Sequence, residues 1–185
     1  MKIYLDDERE TPSGWVRAYW PDEVILSLEK GDVELVSLDH DLGDDLRGTG
    51  YDVVLWVENA VATKGFLPPE LRVHSANSSA RQKMLLGIAN IDALVHKRRT
   101  TLRILEDLSV DQKVQVVLDS GDNFILSGFE PVDETIYDRG DLVVAGIDEV
   151  VVSEFQYKVG TLIELAIGDI AEARDVQSGK LILPS

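Results

Sequence analysis

Cysteine is absent from this chain. Disulfides and thiolate metal sites are therefore excluded, which fits a reducing compartment. No apolar run reaches membrane-spanning length, and the opening Met1-Lys2-Ile3-Tyr4-Leu5-Asp6-Asp7 lacks the apolar stretch of a signal peptide. A cytoplasmic protein without a membrane partner is the expectation. Basic charge is scarce: 34 acids stand against 18 bases, a formal charge of −16 over 185 residues. The imbalance is even, with 17 acids and 9 bases in residues 1–95 and the same numbers in 96–185. Neither half is a basic nucleic-acid module, so broad duplex binding is not expected. The one basic cluster, His96-Lys97-Arg98-Arg99 with Arg103 behind it, reads first as a solvated helix start or linker and second as a local phosphate contact. Repeats and low-complexity segments are also missing. The 44% hydrophobic content supplies a core, or two small ones.

The first half alternates strand and helix signals. Lys2–Leu5 is a short strand that stops at Asp6-Asp7, and Val16–Tyr19 is a second. Pro21 opens a helix with Val24, Ile25 and Leu28 at helical spacing, ended by Gly31. Leu35–Leu38 is a buried-type strand stopping at Asp39. A helix follows from Tyr51 to about Ala62, with Val53, Val54, Val57 and Val61 on one stripe. Leu71–Val73 is the next strand, Ala80–Ile88 the next helix, and Ala93–Val95 a fifth, short strand. This order implies a doubly wound, mostly parallel α/β sheet with strand order 2-1-3-4-5 over residues 1–95. Between the first two strands an irregular loop, Glu8–Trp15, stands where a helix is usual and reads as a lid or a degenerate helix.

Past about Arg99 the pattern changes. Thr100–Leu108 reads as one helix. Extended runs follow at Val114–Leu118, Asn123–Phe129, Leu142–Ala145, Glu149–Ser153, Thr161–Ile167, Ala171–Asp175 and Lys180–Leu183. Turn signals separate them, notably Asp119-Ser120-Gly121-Asp122, Asp138-Arg139-Gly140-Asp141 and Gln177-Ser178-Gly179. Residues 100–185 are therefore expected to form a small all-β barrel or rolled sheet.

Ligands of open parallel sheets bind beyond the carboxyl ends of the strands. At those ends lie Asp6, Asp7, Glu8 and Arg9; then Asp39, His40 and Asp41; then His74, Ser75, Ala76 and Asn77. Carboxylates converging there repel one another unless a cation intervenes, and hard oxygen ligands suit Mg²⁺, Mn²⁺ or Ca²⁺. Asp44 and Asp45 read as turn and cap acids. Asp6, Asp7 and Asp39 read as metal or phosphate ligands, because apolar runs aim all three at one sheet edge. Histidine near its free pKa can donate or accept a proton in phosphodiester chemistry, so His40 and His74 are candidate acid and base, in either order. Arg9 either clamps phosphate or neutralises the acids beside it. Trp15 reads as packing, or as a cover for a nucleobase. Asn77 reads as a helix N-cap.

The motifs Leu5-Asp6-Asp7-Glu8-Arg9, Ser37-Leu38-Asp39-His40-Asp41-Leu42-Gly43, Thr49-Gly50-Tyr51-Asp52-Val53 and His74-Ser75-Ala76-Asn77 resemble response-regulator receiver domains. More narrowly, they resemble the cyclic-phosphate-processing receiver family. In receivers the first acid pair binds Mg²⁺ and the later aspartate accepts phosphate; the resemblance puts those roles on Asp6, Asp7 and Asp39. It implies action on cyclic phosphates of nucleotides or RNA ends. Against an ordinary receiver, His40, Asp41 and His74 are additions, and no lysine is clearly placed at the end of strand five, where Lys97 is the candidate. The second half is weakly similar to an Sm-like barrel through Val114–Phe129 and Asp169–Leu183, with Gly121 in the hairpin and Asp133 after it.

These readings combine into an expected metal-dependent phosphodiesterase using Mg²⁺ or Mn²⁺. Asp6, Asp7 and Asp39, helped by Asp41, hold the cation. His40 and His74 move protons, with Asp39 counted among the catalytic groups. Arg9, Ser75 and Asn77 contact phosphate, and Trp15 the nucleotide. Two alternatives stand beside it: a sponge that binds a cyclic nucleotide without cleaving it, and a regulatory receiver phosphorylated on Asp39. A homo-oligomer through the C-terminal half is a further expectation.

Overall fold

The computed structural model describes residues 1–132 and 142–183, so Asp133 and the expected turn at 138–141 lie outside the described residues. The first sheet is built from β1 (Lys2–Leu5), β2 (Val16–Ala18), β3 (Leu35–Leu38) and β4 (Glu70–Val73), all parallel, in the order β2-β1-β3-β4. Helix α1 (Pro21–Lys30) begins with Pro21, whose fixed φ suits a first turn, carries Asp22 and Glu23 toward the positive helix end, and stops at Gly31. Helix α2 (Gly50–Lys64) starts from a capping box between Thr49 and Asp52 and ends at Gly65 in the left-handed conformation. Its Val53, Val54, Val57, Ala60 and Val61 are buried, the expected stripe. All four residues of β3 are buried, which makes it a central strand.

The fifth strand does not form. Ala93–Val95 lies inside α3, a single 29-residue helix from Ser78 to Glu106 that also absorbs the two shorter helices expected at 80–88 and 100–108. Buried Ala80, Met84 and Ile91 in its first part, and Thr101 and Leu105 later, keep helical spacing. No glycine or proline occurs between Ile88 and Lys113 to interrupt it. Ala93 and Leu94 are strong helix formers, and without flanking turn residues they and Val95 stay in the helix that surrounds them. Lys97, the candidate for the end of that strand, is an exposed helical residue, and the rest of the basic cluster is helical too.

The chain divides into two compact units, Met1–Leu94 and Val95–Ser185, with the division inside α3 rather than in a linker. The second unit holds β5 (Val114–Leu118), β6 (Asn123–Pro131), β7 (Leu142–Val152), β8 (Leu162–Ala166), β9 (Ile170–Asp175) and β10 (Leu181–Leu183). They form one antiparallel sheet in the order β10-β9-β5-β6-β7-β8. The runs expected separately at 142–145 and 149–153 are one strand, β7. Val114, Val116, Phe124, Leu126, Ala145, Ile147, Ile163 and Leu165 alternate along their strands and build the buried core. Among the described residues β8 and β10 are the sheet edges, and no ladder closes them into a barrel. Among the same residues no helix is long and apolar enough to cross a membrane.

Candidate active site

Strand side chains alternate between faces, so residues two apart share one. Tyr4 and Asp6 share a face along β1, and Ser37 and Asp39 share one along β3; Tyr4 pairs with Ser37, and Ser37 with Arg72, two residues before His74. The ladder continues one residue past the strands: the amides of Asp6, Asp39 and His74 donate to the carbonyls of Ala18, Leu5 and Leu38 at 3.2, 2.9 and 3.0 Å. Parallel pairing in register thus brings two acids and one histidine to one sheet edge.

Asp6 is fully buried. Its Oδ1 accepts from the amides of Glu8 at 2.9 Å and Arg9 at 2.6 Å. Its Oδ2 accepts from Arg9 Nη1 at 2.7 Å and faces His74 Nε2 at 3.0 Å. Burial pushes its pKa up, but the Arg9 side chain, the Arg9 and Glu8 amides and His74 together outweigh burial and lower it to about 2. The same Arg9 Nη1 donates to Asp39 Oδ2. Held by Asp6 first and Asp39 second, the Arg9 guanidinium is raised further above its already high range. Arg9 therefore acts as the internal counter-ion of two buried carboxylates. Asp39, also buried, accepts the His40 amide on its other oxygen at 2.7 Å.

The two histidines stand differently. An ionised carboxylate only accepts, so His74 directs Nε2–H at Asp6, and in the neutral ring Nδ1 accepts from Ser37 Oγ at 2.7 Å. Tyr4 stacks on the His74 ring at 4.3 Å and 9°, and Trp15 meets Tyr4 edge-on at 6.1 Å. The Tyr4 phenol is pushed up, chiefly by burial and then by the Asp6 charge. His40 is paired through Nδ1 with Asp41 Oδ1 at 2.7 Å, and its Nε2 has no hydrogen bond among the described residues. That is the arrangement of a base with its orienting carboxylate.

Asp6, Asp39 and His74 offer ligand atoms within 4.8 Å of one another. Two carboxylates and an imidazole fit a divalent cation, and the nitrogen donor suits Mn²⁺ better than Mg²⁺. Such a cation competes with Arg9 for Asp6 Oδ2 and Asp39 Oδ2. Of the four acids expected to be ligands, Asp7 and Asp41 are outside this set. Asp7, in the bend after β1, lies beside Gly43, where a side-chain carbon would come within 2.9 Å of its carboxylate. Exposed Asp41 serves His40 instead.

Ser75 is buried and accepts the Asn77 amide at 3.2 Å; Asn77 Oδ1 in turn accepts the Ala80 amide at 3.1 Å, the expected N-cap. Trp20 sits under Arg47 and Trp56 packs on Phe66, both as structural packing. Sequence reasoning missed Ser37 and Tyr4. Both had a signal, since a hydroxyl in the apolar run Leu35–Leu38 and a tyrosine two residues before Asp6 share the site's face. It also missed Arg17, which donates to the Arg9 carbonyl and so braces the loop carrying the counter-ion.

No curated protein and no solved structure matches the chain. Residues 1–90 match the family model described as the cyclic-phosphate processing receiver domain. Those residues contain all four motifs, the parallel sheet and the whole Asp6–Arg9–Asp39–His74 cluster. Over those residues the N-terminal unit is similar to the cyclic-phosphate processing receiver domain.

Proposed function

We propose that the N-terminal unit is a phosphodiesterase that opens a cyclic phosphate, in a cyclic nucleotide or a 2′,3′-cyclic RNA end. The supporting observation is the pairing of a buried charge cluster, Asp6–Arg9–Asp39–His74, with a second histidine whose Nε2 is open. His40 Nε2 takes a proton from water as the water oxygen bonds to phosphorus. The phosphorus bond to the leaving ribose oxygen breaks, and protonated His74 gives that oxygen its proton. Asp41 orients His40, while Ser37 and Tyr4 hold the His74 ring. Arg9, half-exposed and beside the carboxylates, pairs with phosphate oxygens once it is released from them, and Ser75 and Asn77 line the approach. Asp6 and Asp39 would hold a divalent cation, Mn²⁺ or Mg²⁺, while His74 keeps its proton; the cation would supply charge stabilisation to the phosphoryl oxygens.

The direct test is a panel of cyclic nucleotides and cyclic-ended RNA, incubated with Mn²⁺ or Mg²⁺ and read by mass spectrometry. Ring opening to a linear phosphomonoester, lost in Asp39→Asn, is expected. A ligand returned intact supports the sponge reading. One observation favours that reading: Arg9 already satisfies both carboxylates without an added cation. A stable acyl phosphate on Asp39, without turnover, supports the phosphoacceptor reading. For the second unit we propose self-association through the unpaired edges β8 and β10, where Leu162 and Leu181 are exposed. A monomer in light scattering removes it.

A further inference from the structure

An open cleft of about 570 Å³ adjoins the candidate active site at the start of α3. Its lining is Ser75, Ala76, Ser78, Arg81, Gln82 and Leu85. The volume falls within the range of small-molecule sites. Ser75 directly follows His74, so the cleft opens one residue from the ring that faces Asp6. None of its side chains is used by the chemistry derived above except Ser75.

The lining is chemically mixed in a useful way. Leu85 is 42% exposed, an apolar surface left uncovered in the wall of a cleft. Gln82 carries an amide that offers a donor and an acceptor side by side, the pair needed to read a base edge. Arg81 is exposed and has no carboxylate partner among the described residues, although acids outnumber bases 34 to 18. A guanidinium without an acid in so acidic a protein is available to an anion or to a π face. Ser75 and Ser78 add hydroxyls. An inorganic or simple alkyl phosphate would leave Leu85 and Gln82 without partners. A ligand with a flat, hydrogen-bonding ring joined through a sugar to the phosphate uses all of them.

We infer that this cleft is the nucleoside subsite, receiving the base and ribose of the phosphate handled at Asp6, Asp39 and His74. The inference rests on the reading above and gives the substrate's base and ribose a place of their own, with Gln82 and Leu85 as specificity residues. Trp15 is not needed as a base platform, because its ring is engaged edge-on by Tyr4.

The test compares adenosine 2′-monophosphate with glycerol 2-phosphate by calorimetry, in the full chain. The nucleotide is expected to bind at least about tenfold more tightly, and Gln82→Ala and Leu85→Glu are each expected to bring the ratio toward one. Both residues are exposed, so the variants should fold, which circular dichroism checks. Equal binding of the two phosphates by the wild type overturns the subsite, as does a nucleotide advantage that survives both substitutions. The two readings fail separately. A nucleotide advantage that disappears in the cleft variants, in a protein that opens no cyclic phosphate, keeps the subsite and removes the phosphodiesterase. Hydrolysis that ignores the base and both variants does the reverse.

Discussion

The two units carry the same numbers of acids and bases, yet they use their acids in opposite ways. In the first unit Asp6 and Asp39 are buried, share one guanidinium and face a histidine. In the second, acids are spent in turns and on exposed pairs. Asp122 is bonded by Ser120, Asp175 by Ser178 and Gln112, and Glu172 by its near neighbour Arg174. All three carboxyls are held below their usual range, Asp122 first by Ser153, Asp175 by Ser178 and Glu172 by Arg174. A low pKa therefore does not separate the units. Convergence does: among the described residues only the first brings acids from separate strands to one point, where removing one member leaves the others buried without their partner.

The largest contrast should be in turnover. Under the phosphodiesterase reading, His40→Ala and His74→Ala each slow ring opening by about 10²–10⁴-fold, while Asp122→Asn in the second unit leaves the rate unchanged. Comparable losses from all three in a steady-state assay would erase the functional distinction between the units.

Stability should show the next largest difference, at Gly50. A side-chain carbon there would lie 1.9 Å from the Asp39 carbonyl oxygen, so α2 can start against the β3 tip only with glycine. Gly50→Ala should cost about 3 kcal/mol in urea unfolding, because backbone must move. Gly121, in the β5–β6 turn, has φ +90° and nothing within 4 Å, so Gly121→Ala should cost only about 1 kcal/mol. Similar costs would mean that the strand tip gives way more easily than the geometry implies.

A smaller effect belongs to the counter-ion. Arg9→Ala should destabilise by about 2 kcal/mol, less than a fully buried pair would because Arg9 is half-exposed. Mn²⁺ should restore much of that loss if a cation can take its place. Arg174→Ala, at an exposed and solvent-screened pair, should leave stability almost unchanged. Absence of Mn²⁺ rescue, with the expected destabilisation, would limit the cluster to its built-in cation.

The finest test is by pH. Asp6 has a folded pKa below its unfolded one, so its contribution is present above about pH 4 and is lost as pH falls toward 2. That contribution is about 2 kcal/mol, and Asp6→Asn should flatten this part of the stability curve. A variant whose acid unfolding tracks the wild type would show that other carboxylates carry the acid limb.

Much of the N-terminal unit was legible from residue order. Short apolar runs ending in Asp6, Asp39 and His74 mark strand tips, and parallel order follows from the helices between them. The helix signals at Pro21, Gly31 and Asn77 are local, so they read correctly without tertiary information. The failure at Ala93–Val95 is also local in origin: a short apolar run, in which only Val95 favours a strand, has nothing beside it to stop the surrounding helix.

What the chain order alone determined is which chemistry reaches the sheet edge: acids, two histidines, an arginine and small hydroxyl residues beside apolar strands. Only the tertiary structure decided how that set divides. It put Arg9 between Asp6 and Asp39, gave Asp41 to His40, left Asp7 outside, and enclosed His74 between Ser37, Asp6 and Tyr4. Alternation along a strand gives each residue a face, but the partner of a charged side chain depends on distances across strands and loops, which only packing sets.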